Sequence, residues 1–343
     1  MSGASGVAAV RSSLAARAKR TRIVTCAVAL VALMLVAFEM CLGNTFYSPS
    51  VVIDVLMGAQ VKGASYAILS VRLPRTIAAI ACGAAFGMGG NVFQIMLRNP
   101  LASPDVIGIS SGASVVAVFS ILILRTGAGP ASAGALAGAV VVALAIYAFA
   151  CIGGFSEGKL ILVGIAAQAF MQALVSTLLL KGATDDVPAA LRWLSGSLAG
   201  LSMADILPLA AIPILAAVIM ASLGKLSILE LGDESAIALG VPVGRSRALL
   251  LLCSVGMVAI ATSVTGPIAC VALLSGPIAT RLVHEQGAAT LASGFIGMSL
   301  IMAADLAGHF LLGTRFPAGV VTGLLGTPYL LWLLVRLNRE GVV

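Results

Sequence analysis

Two short motifs and one spaced pair are the places where chemistry could sit. Gly108-Ile109-Ser110-Ser111-Gly112 fits the GxSxG elbow of serine hydrolases. That elbow needs a strand–turn–helix and a histidine partner. The chain has two histidines, His284 and His309, and Ser110 opens an apolar run, so helix packing is the better reading. Gly153 to Lys159 fits GxxxxGK, but Leu160 stands where Ser or Thr would hold magnesium, and no strand precedes it. No nucleotide site follows; if ATP drives this protein, the motor is another polypeptide. Asp305 and His309 lie four apart, on one helix face. They read either as a proton relay or as a polar pair buried between helices. The pair is favoured, because a relay draws on several helices. Glu39 is a further carboxylate near the end of an apolar run. The cysteines at 26, 41, 82, 151, 253 and 270 form no CxxC pair; they read as small buried hydrophobes rather than metal ligands or disulfides. No catalytic residue, metal or cofactor is expected.

The surroundings of these groups are apolar. Of 343 residues, 60% are hydrophobic and 10% charged, and the mean hydropathy is +1.12. Soluble domains are about 45–50% apolar and about 25% charged. So few charges cannot cover a soluble surface, which excludes a soluble enzyme, a nucleic-acid binder and a disordered chain. The apolar runs are continuous rather than alternating, which excludes a membrane β-barrel. The expected fold is all-α and polytopic, with about ten transmembrane helices. They are placed near residues 23–43, 72–96, 105–124, 131–152, 159–181, 203–223, 246–264, 267–283, 288–312 and 317–336. The eighth is short and carries Gly266-Pro267 and Gly276-Pro277, so it is predicted to be broken or kinked. The 38 glycines suit close approach of helices.

Charge sets the orientation. Residues 1–22 form a basic segment, predicted to be cytoplasmic, carrying Arg11, Arg17, Lys19, Arg20 and Arg22; residues 23–343 form one transmembrane unit. The first apolar run is too long for a signal-peptide core and reads as an uncleaved span. Ten spans put Arg98, Lys159, Lys225, Arg245, Arg247, Arg281, Arg336 and Arg339 on the same side as the basic segment. Lys62, Arg72, Arg75, Arg125, Lys181, Arg192 and Arg315 fall on the other side. The excess predicts a multi-pass protein with both termini in the cytoplasm. The longest polar stretch on that side is 230–247. There Asp233 and Glu234 open a short helix, at the end where carboxylates suit its dipole. Gly240 and Pro242 stop it. This segment is either a surface loop or a docking knob.

Asn91 and Gln94 sit late in the second span, and Gln168 and Gln172 lie four apart on the fifth. Such amides can glue helices together or line a wet pathway. An uncharged pathway suits a bulky solute of mixed polarity better than a bare ion.

Several stretches in order carry a family signature: VRLPRT at 71–76, RNPLASPDVIGISSGAS at 98–114, RWLSGSL at 192–198, LGDESAIALGVPVGRSR at 231–247, GPIACVALLSGPIATRLV at 266–283 and FPAGVVTGLLGTPYLLWLL at 316–334. Beyond residue 20 the chain resembles the permease subunits of ABC importers for ferric siderophores, haem and cobalamin (FecCD-type). The resemblance implies a type II importer permease fold of ten spans in a bacterial cytoplasmic membrane. It implies a second permease, two cytoplasmic ABC ATPases and an extracytoplasmic binding protein as partners. It assigns a coupling helix to residues 232–244, with Gly232, Asp233, Glu234, Leu239, Gly240 and Val241 facing the ATPase. It assigns binding-protein docking to Arg72, Arg75 and Arg315, and a pathway lined from spans two and five. Where the family commonly has Pro-His after the eighth span's glycines, this chain has Gly276-Pro277-Ile278. That departure is closer to catecholate-siderophore permeases, which implies a homologous heterodimer and places haem and cobalamin second.

Overall fold

The structure is a computed structural model and describes residues 3–126, 128–154, 156–284, 287–311 and 315–339. All regular structure among them is helical. Helix α1 (Gly3–Cys41) is followed by α2 (Pro49–Leu56). A single turn, α3 (Ala64–Tyr66), and a π-helical stretch (Ala67–Arg72) lead into α4 (Leu73–Met96). A 3₁₀ turn (Pro104–Ile107) precedes α5 (Ile109–Leu122); then come α6 (Ala128–Cys151), α7 (Glu157–Lys181) and the short α8 (Val187–Leu194). A second 3₁₀ turn (Leu207–Ala211) opens α9 (Ile212–Ala221) and α10 (Leu223–Glu230), and α11 (Asp233–Ala238) follows. Helices α12 (Val243–Thr265), α13 (Val271–Val283), α14 (Thr290–Phe310) and α15 (Ala318–Arg339) complete the described chain.

Six of these runs are long and apolar enough to cross a bilayer alone, α9 with α10 makes a seventh, and α5, α13 and α15 are shorter apolar helices. They fall where the ten spans are expected. The break does not. The sharp bend, 58°, lies between α9 and α10 in the sixth segment, where Ser222 takes a 3₁₀-type bond to Ile219 O at 2.9 Å. The eighth segment is shortened rather than bent. Residues 266–270 are non-helical, with Gly266 at φ +72° and Cys270 at φ +65°, and Pro277 is accommodated inside α13. Helix α1 runs unbroken through residue 22; at 1.5 Å per residue it is ~58 Å long, well beyond the ~30 Å hydrocarbon layer.

Helix α4 is the centre. It packs on α14, α12 and α13, and nearly every residue from Cys82 to Met96 is buried. Glycine makes this possible. A methyl added to Gly87 would strike the Ser293 carbonyl, and one on Gly297 the Gly83 carbonyl, so α4 and α14 touch backbone to backbone. In a bilayer such contact replaces the hydrophobic drive that lipid cannot supply. Side-chain bonds then fix the pairs. Ser254 Oγ donates to Gly89 O at 2.6 Å, Asn91 Nδ2 to Thr290 Oγ1 at 2.9 Å and Gln94 Nε2 to Leu273 O at 3.1 Å. Gly87→Ala is expected to cost about 1–3 kcal/mol by overpacking, read as a lower melting temperature of the purified protein in detergent. An unchanged melting temperature would refute the backbone contact.

Candidate functional site

Candidate functional side chains gather at the two ends of α4. At its start, Arg72 and Arg75 lie three apart and so share a face, with Pro74, which has no N–H to donate, where the π-helical stretch passes into α4. Arg72 is only 8% exposed. Its guanidinium donates to Met40 O at 2.7 Å and to Thr45 O at 2.5 Å, and lies 4.8 Å over the Tyr47 ring. It closes the end of α1. Arg75 Nε pairs with Asp305 Oδ2 of α14 at 2.6 Å. Arg315, exposed, donates to Asn44 Oδ1 at 2.7 Å. These groups and His309 line a cavity of about 260 Å³ open at this end. Glu39 belongs to its wall, is 4% exposed, and neither carboxylate oxygen has a hydrogen-bond partner. Of the arginines expected at one docking face, the structure leaves Arg315 accessible, ties Arg75 into an ion pair and buries Arg72. Asp305 faces Arg75 rather than forming a pair with His309, which instead sets its ring against Phe310 at 4.6 Å.

At the other end the chain leaves α4 through Arg98, whose φ of +45° is a strained left-handed setting for a residue with a side chain. Arg98 Nη2 reaches Asp233 Oδ1 at 2.6 Å, and Arg247 Nη2 reaches the same oxygen at 2.7 Å. One carboxylate thus ties α11 to the end of α4 and to α12. The hydrogen bond from Arg247 holds the Asp233 carboxyl below the usual carboxylate range, with the charge of Arg98 adding to it. Gly232, at φ +108°, makes the turn into α11, and Gly240, at φ +79°, the turn out. Glu234 is exposed. Ala236 is buried, Val241 packs partly inward, and Leu231, Ile237 and Leu239 are 66%, 65% and 62% exposed. Three large apolar side chains on a six-residue helix and its flanks make a knob left exposed among the described residues.

Between the ends, the four amides separate. Asn91 and Gln94 are 1% and 5% exposed and bonded to neighbouring helices. Both bonds run between helices of the chain and hold the two amides inside the bundle. Gln168 and Gln172 are exposed on α7. The two enzyme-like motifs are structural. Ser110 Oγ donates to Asp105 at the start of α5, with no strand before it. Lys159 Nζ donates to Ile152 O at 2.9 Å, beyond the end of α6. The Arg98–Asp233–Arg247 tie escaped sequence reading, which had Arg98 and Arg247 only as orientation charges. Arg98 stands 135 residues from Asp233, and no periodicity signals that distance. Glu39 was visible as an ionisable group in an apolar run.

The model of the FecCD transport family matches residues 29–336. The ferric enterobactin transport system permease protein of Escherichia coli (strain K12) is 35% identical over 300 residues, covering 87% of this chain and 91% of that protein. The achromobactin transport system permease protein of Dickeya dadantii (strain 3937) is 36% identical over 318 residues, covering 91% of each. In fold, the chain matches a solved metal-chelate type ABC transporter in an inward-facing conformation, with TM-score 0.81 and 23% identity, covering 92% of this chain and 99% of that one. Helix order, the glycine-packed α4 and the sequence match across nearly all of the described bundle agree: the chain belongs to the FecCD transport family.

Proposed function

We propose that this chain is the membrane permease subunit of an ATP-driven importer and carries a ferric siderophore, of catecholate type, across a bacterial cytoplasmic membrane. The family match over 29–336 carries the reading, and the two ends of α4 give it a mechanism. The Asp233 end faces the cytoplasm, both termini lie there, and the exposed Leu231, Ile237 and Leu239 seat on an ABC ATPase. The Arg315 end faces outward and meets a siderophore-binding protein. Long-range attraction to that basic end speeds encounter and weakens with salt. A second, homologous permease completes the pathway, with Gln168 and Gln172 of α7 toward it. The chain performs no bond chemistry. ATP hydrolysis belongs to the partner subunits, and their differential affinity for two states of the permease drives the switch. A proton relay through Asp305 finds less support, because Arg75 already neutralises that carboxylate.

Purification of the tagged chain from its native membrane in mild detergent tests this. An ABC ATPase and a homologous permease are expected to copurify. Recovery of the chain without an ATPase, where a known importer keeps its own, would sink the proposal. Leu239→Asp places a charge in the apolar knob and is expected to lower ATPase recovery at least ~10-fold, the scale of a buried hot-spot contact, while the chain still elutes as a folded species. Asp305→Asn is expected to cost about 2 kcal/mol of stability, below the ~3–5 kcal/mol of a fully buried pair because Arg75 is 22% exposed. Replacing both partners with apolar residues should recover it; uptake lost at full stability would instead revive the relay. The Asp233 carboxyl titrates below its unfolded value of ~3.9. Its tie is therefore complete above that pH and is lost only as pH falls through the lower folded value. Thermal stability between pH 5 and 7 should be the same for the wild type and Asp233→Asn apart from a constant offset, and the offset should vanish in stronger acid.

A further inference from the structure

The loop between the first two spans carries an apolar face that the importer reading does not use. Its helix, α2, has limits set by sequence. Pro49 suits the first helical position, and Gly58, at φ +101°, follows its end. Between them the side chains divide three ways. Val52 and Val55 are buried, in one cluster with Met40 and Cys41 of α1 and Ile68 of the π-helical stretch. Ser50 and Asp54, four apart, are polar and exposed. Ile53, Leu56 and Met57, spaced i, i+3 and i+4, are 59%, 48% and 85% exposed. Phe46 and Tyr66, large rings before and after α2, are exposed as well.

Packing fixes the level of this face. Helix α2 rests on α1, α3 and the π-helical stretch. The apolar run of α1, Ile23 to Leu42, is ~30 Å long, the thickness of the hydrocarbon layer. Met40 and Cys41 therefore stand at the edge of that layer, and the valines clustered with them hold α2 at headgroup depth. Nearer the bilayer centre, α1 bares Leu30, Met34 and Phe38, four apart on one face, along a span that the bundle leaves mostly uncovered. Lipid thus meets α1 right up to this loop. A helix at that depth, with a polar strip and a separate strip of large apolar side chains, sinks the apolar strip ~5–10 Å into the boundary between headgroups and acyl chains. Aromatic rings gather at the same level. Asp54 and Lys62, the exposed charges of the loop, have opposite signs, so apolar burial rather than net charge is the force available.

We propose that Ile53, Leu56 and Met57 of α2, flanked by Phe46 and Tyr66, form an interfacial anchor seated in the phospholipid leaflet at the Arg315 end. The anchor needs only that α1 and α4 cross a bilayer, so it can fail while the importer reading stands, and the reverse.

Trp193→Phe with Trp332→Phe removes both tryptophans of the chain. Into that background go Ile53→Trp, Met57→Trp or, on the polar strip, Ser50→Trp, one at a time. Each full chain is reconstituted in phosphatidylcholine vesicles. Phosphatidylcholine brominated high on its acyl chains should quench the reporters at 53 and 57 several-fold more than the one at 50, and iodide in the buffer should do the reverse. Replacing part of the phosphatidylcholine with phosphatidylglycerol should leave that order unchanged. The unaltered chain gives a check free of substitutions, which decides the matter if the tryptophan-free background does not fold. A phospholipid with a diazirine high on its acyl chain should leave adducts on Ile53, Leu56 or Met57, as on Leu30 and Phe38, and none on Ser50 or Asp54. Two results overturn the proposal. Iodide quenching that exceeds lipid quenching at 53 and 57, without adducts on α2, makes the face a water-exposed surface open to a soluble partner. Weak quenching by both, again without adducts, places a second protein chain over it.

Discussion

The whole arrangement depends on two helices meeting without side chains between them. Where α4 and α14 cross, glycine on each side lets a carbonyl of one lie against the Cα of the other. Dispersion falls off steeply with distance, so this contact is close to the strongest packing a lipid-embedded helix pair can make. It also removes slack. A helix seated backbone to backbone cannot slide or rotate by a fraction of a side chain, so a force applied at one of its ends arrives at the other.

That rigidity gives the polar ties their meaning. Arg72 and Arg75 fix the start of α4 to α1 and α14, and Arg98 fixes its end to α11. The exposed pair at the Asp233 end is worth little in bulk terms, on the order of 0.2–1 kcal/mol. Its value lies in geometry. Two guanidiniums on one oxygen hold a six-residue helix against two long ones, and the apolar side chains of α11 are thereby presented outward as a fixed shape. The carboxylate needs both partners to serve as a joint, since one alone would let α11 pivot.

Much of this was legible in the sequence. Ten apolar segments and their order followed from composition and spacing, because the bilayer imposes one length rule on every span. The short helix at 233–238 was legible from its glycine boundaries and leading carboxylates. The roles of individual side chains were not. RLPR has the look of an exposed basic face, yet the loop after α1 folds back so that Arg72 ends among carbonyls. Asn91 and Gln94 read equally as glue or as pathway, and no spacing pointed to their bonds with Thr290 Oγ1 and Leu273 O. The bend at Ser222 was missed because the glycine–proline pairs drew attention to the eighth span, while the sixth breaks beside the single Gly224. For Arg72 and the two amides the partner lay far away along the chain.

Arg72 also bears on the order in which the chain is built. Helix α1 is made first, but the carbonyls of its last turn have no partner within the helix. One of them, Met40 O, and Thr45 O just beyond it accept hydrogen bonds from a guanidinium synthesised some thirty residues later. Until that arginine reaches the membrane, the end of α1 must stay where water can serve those oxygens. Arg72 thus takes over from water at the end of the first span once the start of α4 is in place.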